Sequence, residues 1–324
     1  MLRKHHSLLS ALILWSCCMH AMAAAPGYSE QPISLHTSSG TLSGSLLLPA
    51  GKDPVPVVLI ISGSGPVDRD GNVAVANANT NSLKYLSQAL AQAGFAAVRY
   101  DKRGIAASAK AAPNEADLRF ETYVNDATAW LELLKRDQRF SSVGVVGHSE
   151  GSLIGMLAAR QAGANAFVSL AGLSQGAAET VRAQLKARLN GPLAERAEAI
   201  LTGLEQGRTT KDVPNELAAL YRESVQPYLV SWFRYIPSQE IAKLSIPVQV
   251  VHGSTDIQIN VSEAEALKRA KPDAELVIVK GMNHVLKSVA PEVKQQMASY
   301  NDPALPIASE LSNSLVAFLK KALE

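Results

Sequence analysis

A serine between two glycines is the residue of this chain best suited to covalent catalysis. Residues 147–151 read Gly-His-Ser-Glu-Gly and fit the pattern G-x-S-x-G. The pattern directly follows the apolar run 143–146, a predicted strand, and directly precedes a helical segment at 153–162. A tight strand-to-helix turn with small neighbours projects a serine Oγ above a sheet. We therefore predict that Ser149 is a nucleophile; the alternative is a plain Gly-Ser turn.

Ser149 needs a general base, because a serine hydroxyl is a weak nucleophile by itself. Beyond residue 25 the chain has four histidines: His36, His148, His252 and His284. The first lies in a predicted hairpin, the second cannot face the Oγ of its neighbour, and the third ends a predicted strand. His284 lies in the loop after the last predicted strand. We predict His284 as the base, the alternative being a surface-loop histidine.

The base needs a carboxylate that fixes its tautomer and stabilises the imidazolium. Asp256 follows the predicted strand 248–251, so the order along the chain is Ser…Asp…His. We predict Asp256 in this role. Glu263 and Asp273 are the alternative acids, although both positions are more simply explained as solvated charges on a helix and a loop.

An oxyanion hole requires two backbone N–H groups near the nucleophile. We predict that one belongs to Glu150, the residue after Ser149, and that its side chain makes only a polar contact. The other should come from the loop after strand 55–61, which reads Ser-Gly-Ser-Gly over residues 62–65. Ser64 is the predicted donor, with Gly63 and Gly65 as alternatives. A simpler possibility is that these glycines only turn the chain.

Short apolar strands alternate with helices along most of the chain. This pattern indicates an α/β fold, a mostly parallel sheet flanked by helices on both faces. A hairpin is predicted at 33–37 and 41–48, and the buried strands at 55–61, 95–100, 143–146, 167–170, 248–251 and 276–279. The predicted helices are 83–93, 123–135, 153–162, 262–270 and 309–323.

Residues 173–243 interrupt this alternation, because the segment is helical in pattern and contains no predicted strand. We predict a helical cap insertion that divides the core into residues 26–172 and 244–324. The segment is rich in aromatic residues, and Tyr228, Trp232 and Phe233 are candidates for a substrate pocket. The alternative is that these rings form the core of the cap.

The charged residues Asp68, Arg69, Asp70 and Arg103 lie in loops that follow buried strands. We predict that they pair with one another and hold loops beside the site. Direct binding of substrate is the alternative.

Two further motifs carry a family resemblance. Residues 100–104, Tyr-Asp-Lys-Arg-Gly, are similar to a D-x-R-G turn, and residues 64–72 resemble a run found in exported bacterial proteins. Over residues 33–324 the chain resembles the α/β-hydrolase superfamily, in particular its capped serine esterase and lysophospholipase-like branch, which is related to dienelactone hydrolases. The resemblance implies the α/β-hydrolase fold and assigns the triad to Ser149, Asp256 and His284. The chain departs from the pattern at Ser62, where the oxyanion loop more often begins with His.

These residues predict a carboxylesterase-type serine hydrolase (EC 3.1.1.-) that forms an acyl-enzyme on a small-molecule ester. A serine aminopeptidase-like peptidase or an acyltransferase could use the same triad, and a non-catalytic binding protein is a third alternative. We predict no cofactor or metal, because H-E-x-x-H, G-x-x-x-x-G-K-[ST] and G-x-G-x-x-G are absent. Lys and Arg total 31 against 29 acidic residues, which gives no basic surface for nucleic acid, and no stable protein partner is implied.

The N-terminus has the pattern of a secretory signal peptide, which we predict at residues 1–24. Arg3 and Lys4 precede the apolar run 7–15, and Ala-Met-Ala follows at 21–23. The run is shorter than the roughly 20 residues of a membrane span. We therefore expect export to the periplasm or medium, with a lipid anchor at Cys17 as the alternative. Cys17 and Cys18 are the only cysteines, so the cleaved chain would contain none.

Overall fold

The computed structural model describes residues 27–51 and 54–324, so the predicted signal peptide and Cys17 lie outside the described residues. In this part of the chain, eight strands form one sheet in the order β1-β2-β4-β3-β5-β6-β7-β8. The strands are β1 (Tyr28–Thr37), β2 (Gly40–Pro49), β3 (Val55–Ile61), β4 (Ala96–Tyr100), β5 (Phe140–His148), β6 (Ala166–Leu170), β7 (Val248–Gly253) and β8 (Glu275–Val279). β1 pairs antiparallel with β2 and β2 with β4, whereas all pairs from β4 to β8 are parallel.

Helices cover both faces of the sheet. They are α1 (Ser82–Gln92), α2 (Phe120–Arg136), α3 (Glu150–Ala162), α4 (Ala177–Arg188), α5 (Gly191–Glu205), α6 (Ala218–Tyr221), α7 (Gln226–Trp232), α8 (Pro237–Ile241), α9 (Val261–Ala270), α10 (Val293–Ser299) and α11 (Ser309–Leu323). On β3, Val57 and Leu59 belong to the apolar cluster that includes side chains of α2, α3 and α9, while Val58 and Ile60 belong to the cluster that includes α1 and α11. Because successive side chains point to opposite faces, a strand buried on both faces is continuously apolar, as the sequence predicts.

The segment between β6 and β7 contains the helices α4 to α8. Its side chains form a separate apolar cluster that includes Leu201, Leu204 and Tyr221, all fully buried. α7 attaches this cluster to the core, where the Ser231 hydroxyl accepts a hydrogen bond from the Phe120 N–H at 2.7 Å. The segment therefore lies against the N-terminal end of α2.

One helix of the structure is absent from the sequence prediction. α10 lies between β8 and α11, in a stretch where the sequence predicts no helix, and it exposes the apolar side chains of Val293 and Met297.

Among residues 27–51 and 54–324, no helix is long and apolar enough to cross a membrane.

Candidate active site

The turn between β5 and α3, residues 147–151, is called the elbow below and holds Ser149 in a strained conformation. Its φ is 55° and its ψ is −121°, a combination that a residue with a Cβ rarely adopts and that costs on the order of 1–3 kcal/mol. A Cβ added at Gly147 would lie 2.2 Å from the Gly151 carbonyl oxygen, and one added at Gly151 would lie 2.4 Å from the Ile61 carbonyl oxygen. Both positions of the motif thus require glycine, because the turn brings the backbone too close for any side chain.

His284 and Asp256 meet at the carboxyl ends of β7 and β8. His284 Nδ1 lies 2.8 Å from Asp256 Oδ2, and the Asp256 side chain is fully buried. Its Oδ1 accepts the N–H groups of Gln258 and Ile259 at 2.8 and 3.0 Å. Burial acts to raise the pKa of Asp256, but the hydrogen bonds from His284 and from the backbone outweigh it and leave the pKa below its usual value. The ionised carboxylate accepts from Nδ1–H, so Nε2 is the nitrogen left to accept a proton.

The alternative acids are engaged elsewhere. Glu263 Oε2 accepts the N–H and the hydroxyl of Ser174 at 2.7 and 2.6 Å, which ties α9 to the start of the helical segment. Asp273 pairs with Lys271 at 2.7 Å. Asp256 is thus the carboxylate of the three that contacts His284.

Two more histidines surround the pair. His252 is buried, its Nε2 donates to the Ile259 carbonyl at 2.9 Å, and burial lowers its pKa. His148 Nε2 donates to the backbone carbonyl of His284 at 2.9 Å. Burial, followed by the nearby His284, lowers the pKa of His148 to about 3. Both rings are therefore neutral near pH 7, and each holds a loop of the site rather than serving as a base.

The loop after β3 lies directly against Ser149. A Cβ added at Gly63 would be 3.2 Å from Ser149 Cβ and 3.4 Å from His148 Nδ1. Ser64 is exposed, and its N–H has no acceptor among the described residues. Glu150 is the first residue of α3, so its N–H has no intrahelical acceptor. Both predicted oxyanion donors therefore lack a backbone acceptor among the described residues.

A buried lysine that the sequence analysis did not single out completes the surroundings of Ser149. Lys102 Nζ lies 3.0 Å from Glu150 Oε2 and 2.5 Å from the Gly63 carbonyl oxygen. The ammonium also lies 5.0 Å from the centre of the Tyr123 ring. The prediction that the Glu150 side chain makes only a polar contact at the helix start is wrong, because the carboxylate forms a buried ion pair. The sequence feature that could have indicated this ion pair is a lysine inside the D-x-R-G turn together with a glutamate inside G-x-S-x-G.

The aromatic candidates for a substrate pocket have different surroundings. The Tyr228 hydroxyl donates a short hydrogen bond to Glu150 Oε1, so this ring lies next to the elbow. Trp232 stacks on Phe120 with ring centres 6.2 Å apart, and Phe233 packs partly buried beside it. Trp232 thus packs the helical segment against α2, and Phe233 packs against the apolar cluster of that segment.

The predicted pairing among four loop charges is wrong in its partners. The ion pairs are Arg69–Asp101 at 2.6 Å, Asp70–Arg99 at 2.7 Å and Arg103–Asp126 at 2.5 Å, and Asp68 accepts the backbone N–H groups of Asp70 and Asn72. Asp101 and Arg99 belong to β4 and the turn after it, which the sequence does not distinguish from other charged positions. The loops are nevertheless held by ion pairs, as a structural role requires.

Within the described ranges, no group of three or more His, Cys, Asp or Glu side chains is arranged to hold a metal ion.

Known proteins resemble this chain in sequence and in fold. The family model described as serine aminopeptidase, S33, matches residues 76–225, which include the elbow. Esterase EstD of Thermotoga maritima is 26% identical over 250 residues, which cover 76% of this chain and 58% of that protein. The chain therefore spans less than two thirds of the length of this relative.

Solved structures share the fold at low sequence identity. Est1E from Butyrivibrio proteoclasticus, with ferulic acid bound, has a TM-score of 0.61 and 15% identity and covers 90% of this chain and 98% of its own. The Pyrococcus furiosus esterase Pf2001 has a TM-score of 0.57 and 14% identity, covering 92% of both chains. A dienelactone hydrolase from Anabaena variabilis has a TM-score of 0.55 and 15% identity, covering 92% of this chain and all of its own, 100%. The sheet order and these shared folds show that the chain has the α/β-hydrolase fold.

Proposed function

We propose that this protein is a serine hydrolase that cleaves carboxylic esters through an acyl-enzyme. The observation that carries the proposal is the 2.8 Å contact between Asp256 and His284, at the same sheet edge as the strained Ser149. An ionised, buried carboxylate on Nδ1 leaves Nε2 of the imidazole as a base, and the elbow presents a hydroxyl beside unused N–H groups.

The mechanism follows from these roles. Ser149 Oγ attacks the ester carbonyl while its proton passes to His284 Nε2, and Asp256 stabilises the imidazolium. The N–H groups of Ser64 and Glu150 stabilise the oxyanion of the tetrahedral intermediate. The intermediate collapses, the C–O bond to the alcohol breaks, and His284 gives the alcohol its proton. Water, deprotonated by His284, then attacks the acyl-enzyme, and Ser149 leaves with the proton restored.

Esters are favoured over peptides by the charge balance around Ser149. A serine aminopeptidase, the activity named by the matching family model, must bind the ammonium group of a peptide N-terminus. The Glu150 carboxylate, adjacent to the nucleophile, is already paired with Lys102 and hydrogen-bonded by Tyr228. It is therefore not free to bind a substrate ammonium. The named esterase relatives support the same choice of substrate class.

The test is a substrate panel on the purified protein. We expect turnover of p-nitrophenyl acetate, butyrate and octanoate, with a preference for small to medium acyl groups, and little turnover of aminoacyl p-nitroanilides. A fluorophosphonate should add to one residue, and peptide mapping should place the adduct on Ser149. Turnover confined to the anilides would replace the esterase with a peptidase, and failure of both turnover and labelling would favour a binding protein.

We further propose that the protein is exported after cleavage of residues 1–24, and that residues 173–243 act as a cap over the site. The basic start and apolar run support export, and the separate apolar cluster of the helical segment supports a cap. Cell fractionation with N-terminal sequencing tests export. Lipid labelling of the wild type but not of Cys17→Ser would show an anchored form instead.

A further inference from the structure

The Lys102 ammonium joins the two parts of the chain that supply the predicted oxyanion donors. Its Nζ donates to the Gly63 carbonyl oxygen at 2.5 Å and to Glu150 Oε2 at 3.0 Å. Gly63 precedes Ser64, the first predicted donor, and Glu150 supplies the second through its own N–H. One cation therefore contacts the carbonyl group that precedes one predicted donor and the side chain of the residue that supplies the other.

The contact with Gly63 fixes the direction of the Ser64 N–H. The Gly63 carbonyl and the Ser64 N–H belong to one peptide unit, which is planar, and in a trans peptide the two groups point in opposite directions. A loop of Ser and Gly has little side-chain packing to hold such a unit, and Ser64 itself is exposed. A cation on the carbonyl oxygen holds the plane and also polarises the N–H, which strengthens it as a donor.

We propose that Lys102 is a positioning residue that orients the Ser64 N–H toward the oxyanion, with Glu150 anchoring the ammonium. The effect of this orientation on catalysis rests on the proposed function. The orientation itself does not depend on which substrate the protein binds. Lys102 touches no reacting atom; it acts through the Gly63–Ser64 peptide.

The surroundings of Lys102 restrict it to this position. The Lys102 and Glu150 side chains are only 2% and 3% exposed, so neither can turn to solvent without leaving a buried partner unpaired. Tyr228 donates to the other oxygen of Glu150, which fixes the carboxylate from the side of α7. Tyr123 covers the ammonium with its ring.

A second buried ion pair offers a matched control. Arg103, the next residue, pairs with Asp126 of α2 at 2.5 Å, and these side chains are 9% and 6% exposed. The Arg103 guanidinium contacts Ser39, Thr37 and the Ala111 carbonyl, and none of its hydrogen bonds reaches the loop at 62–65. Breaking this pair should therefore disturb stability as Lys102 variants do, without changing the oxyanion hole.

The experiment compares Lys102→Met, the double variant Lys102→Met with Glu150→Gln, and the control Asp126→Asn. Lys102→Met leaves the buried Glu150 carboxylate without its cation, whereas the double variant also removes that charge. The double variant therefore supplies a folded protein if Lys102→Met alone unfolds. For p-nitrophenyl butyrate we expect kcat to fall about 10- to 100-fold in both Lys102 variants, with KM within about 2-fold of wild type. Affinity for a trifluoromethyl ketone, which forms a tetrahedral adduct, should fall by the same factor as kcat/KM. Asp126→Asn should lower the melting temperature but keep kcat.

A readout independent of activity separates this inference from the proposed function. The backbone amide resonance of Ser64, assigned by ¹⁵N NMR, should shift in the Lys102 variants and stay unchanged in Asp126→Asn. An inactive wild type with this shift would refute the esterase proposal and retain the positioning role. An unshifted Ser64 resonance, or a folded Lys102 variant with wild-type kcat, would overturn the inference, as would an equal loss of kcat in Asp126→Asn.

Discussion

The imidazole of His148 donates a hydrogen bond from Nε2 to the backbone carbonyl of His284 at 2.9 Å. His148 precedes the predicted nucleophile and thus holds the loop that carries the predicted base. Asp256 fixes the His284 ring through Nδ1, while His148 fixes its backbone. Two independent contacts therefore position the imidazole relative to the elbow.

This arrangement predicts a pH dependence of stability to which His148 contributes. Burial lowers the folded-state pKa of His148 to about 3 from an ordinary value of 6.5. Between these values the unfolded chain binds more protons, so the free energy of unfolding should fall as the pH is lowered through 6.5 toward 3. His148→Gln keeps a donor and removes the titration. Urea unfolding at pH 5 and 7.5 should show a smaller difference for this variant than for wild type.

The matched control for that measurement is His36→Gln, because His36 is exposed on the first hairpin and hydrogen-bonds Thr41. It should keep the wild-type difference between the two pH values. Burial also lowers the pKa of His252, so this residue should contribute to the pH dependence of stability that remains in His148→Gln. An unchanged difference in His148→Gln would show that His148 is not the buried neutral group described here.

Gly63→Ala should damage catalysis more than stability. The added methyl would lie 3.2 Å from Ser149 Cβ and 3.4 Å from His148 Nδ1, so the loop or the elbow must shift by a few tenths of an ångström. We expect kcat to fall about 10-fold or more, since such displacements misplace the oxyanion donor. The measurement is steady-state hydrolysis of p-nitrophenyl butyrate beside thermal unfolding.

Gly203→Ala is the control, because a Cβ there meets only the Arg208 carbonyl oxygen at 3.6 Å and Gly203 lies within α5. It should keep kcat and stabilise the protein by about 0.5–1 kcal/mol. Wild-type kcat in Gly63→Ala would mean that the loop at 62–65 does not form the oxyanion hole.

Tyr228→Phe tests the link between the helical segment and the elbow. It removes one of the donors to the buried Glu150 carboxylate, which should lower the free energy of unfolding by about 1–3 kcal/mol. Because Glu150 also anchors Lys102, we expect kcat to fall as well. Burial and the neighbouring Glu150 raise the pKa of Tyr228 well above its usual value, so it donates throughout the accessible pH range.

Tyr235→Phe removes a similar hydrogen bond, from Tyr235 to Glu121 at 2.9 Å, at a position away from Ser149. It should lower the free energy of unfolding and leave kcat unchanged. Equal kcat losses in Tyr228→Phe and Tyr235→Phe would assign both tyrosines to attachment of the helical segment, with no specific connection to the elbow.

Local patterns were sufficient to predict a mostly parallel sheet and the sequence of strands along the chain. Val55–Ile61 is apolar throughout because both faces are buried, and β3 has these bounds in the structure. The glycines at 147 and 151 indicated the elbow because only glycine fits where backbones approach so closely. The meeting of Asp256 and His284 was predictable because parallel strands bring the loops at their carboxyl ends together.

Long-range charge pairing could not be predicted in the same way. Lys102 and Glu150 are 48 residues apart in sequence, and nothing in either local pattern selects one partner over the other charges nearby. Arg69 and Asp70 similarly bind Asp101 and Arg99 rather than the loop charges expected. α10 was missed because a helix of seven residues with exposed Val293 and Met297 has little periodicity.

The most direct test of the catalytic assignment is kcat/KM for p-nitrophenyl butyrate in wild type, Ser149→Ala and His284→Ala. Both variants should lose roughly 10⁴-fold or more, and by similar factors, because nucleophile and base act as one unit. Unchanged melting temperatures would exclude unfolding as the cause. Activity in Ser149→Ala within about 10-fold of wild type would contradict the assignment, because another residue would then form the acyl-enzyme.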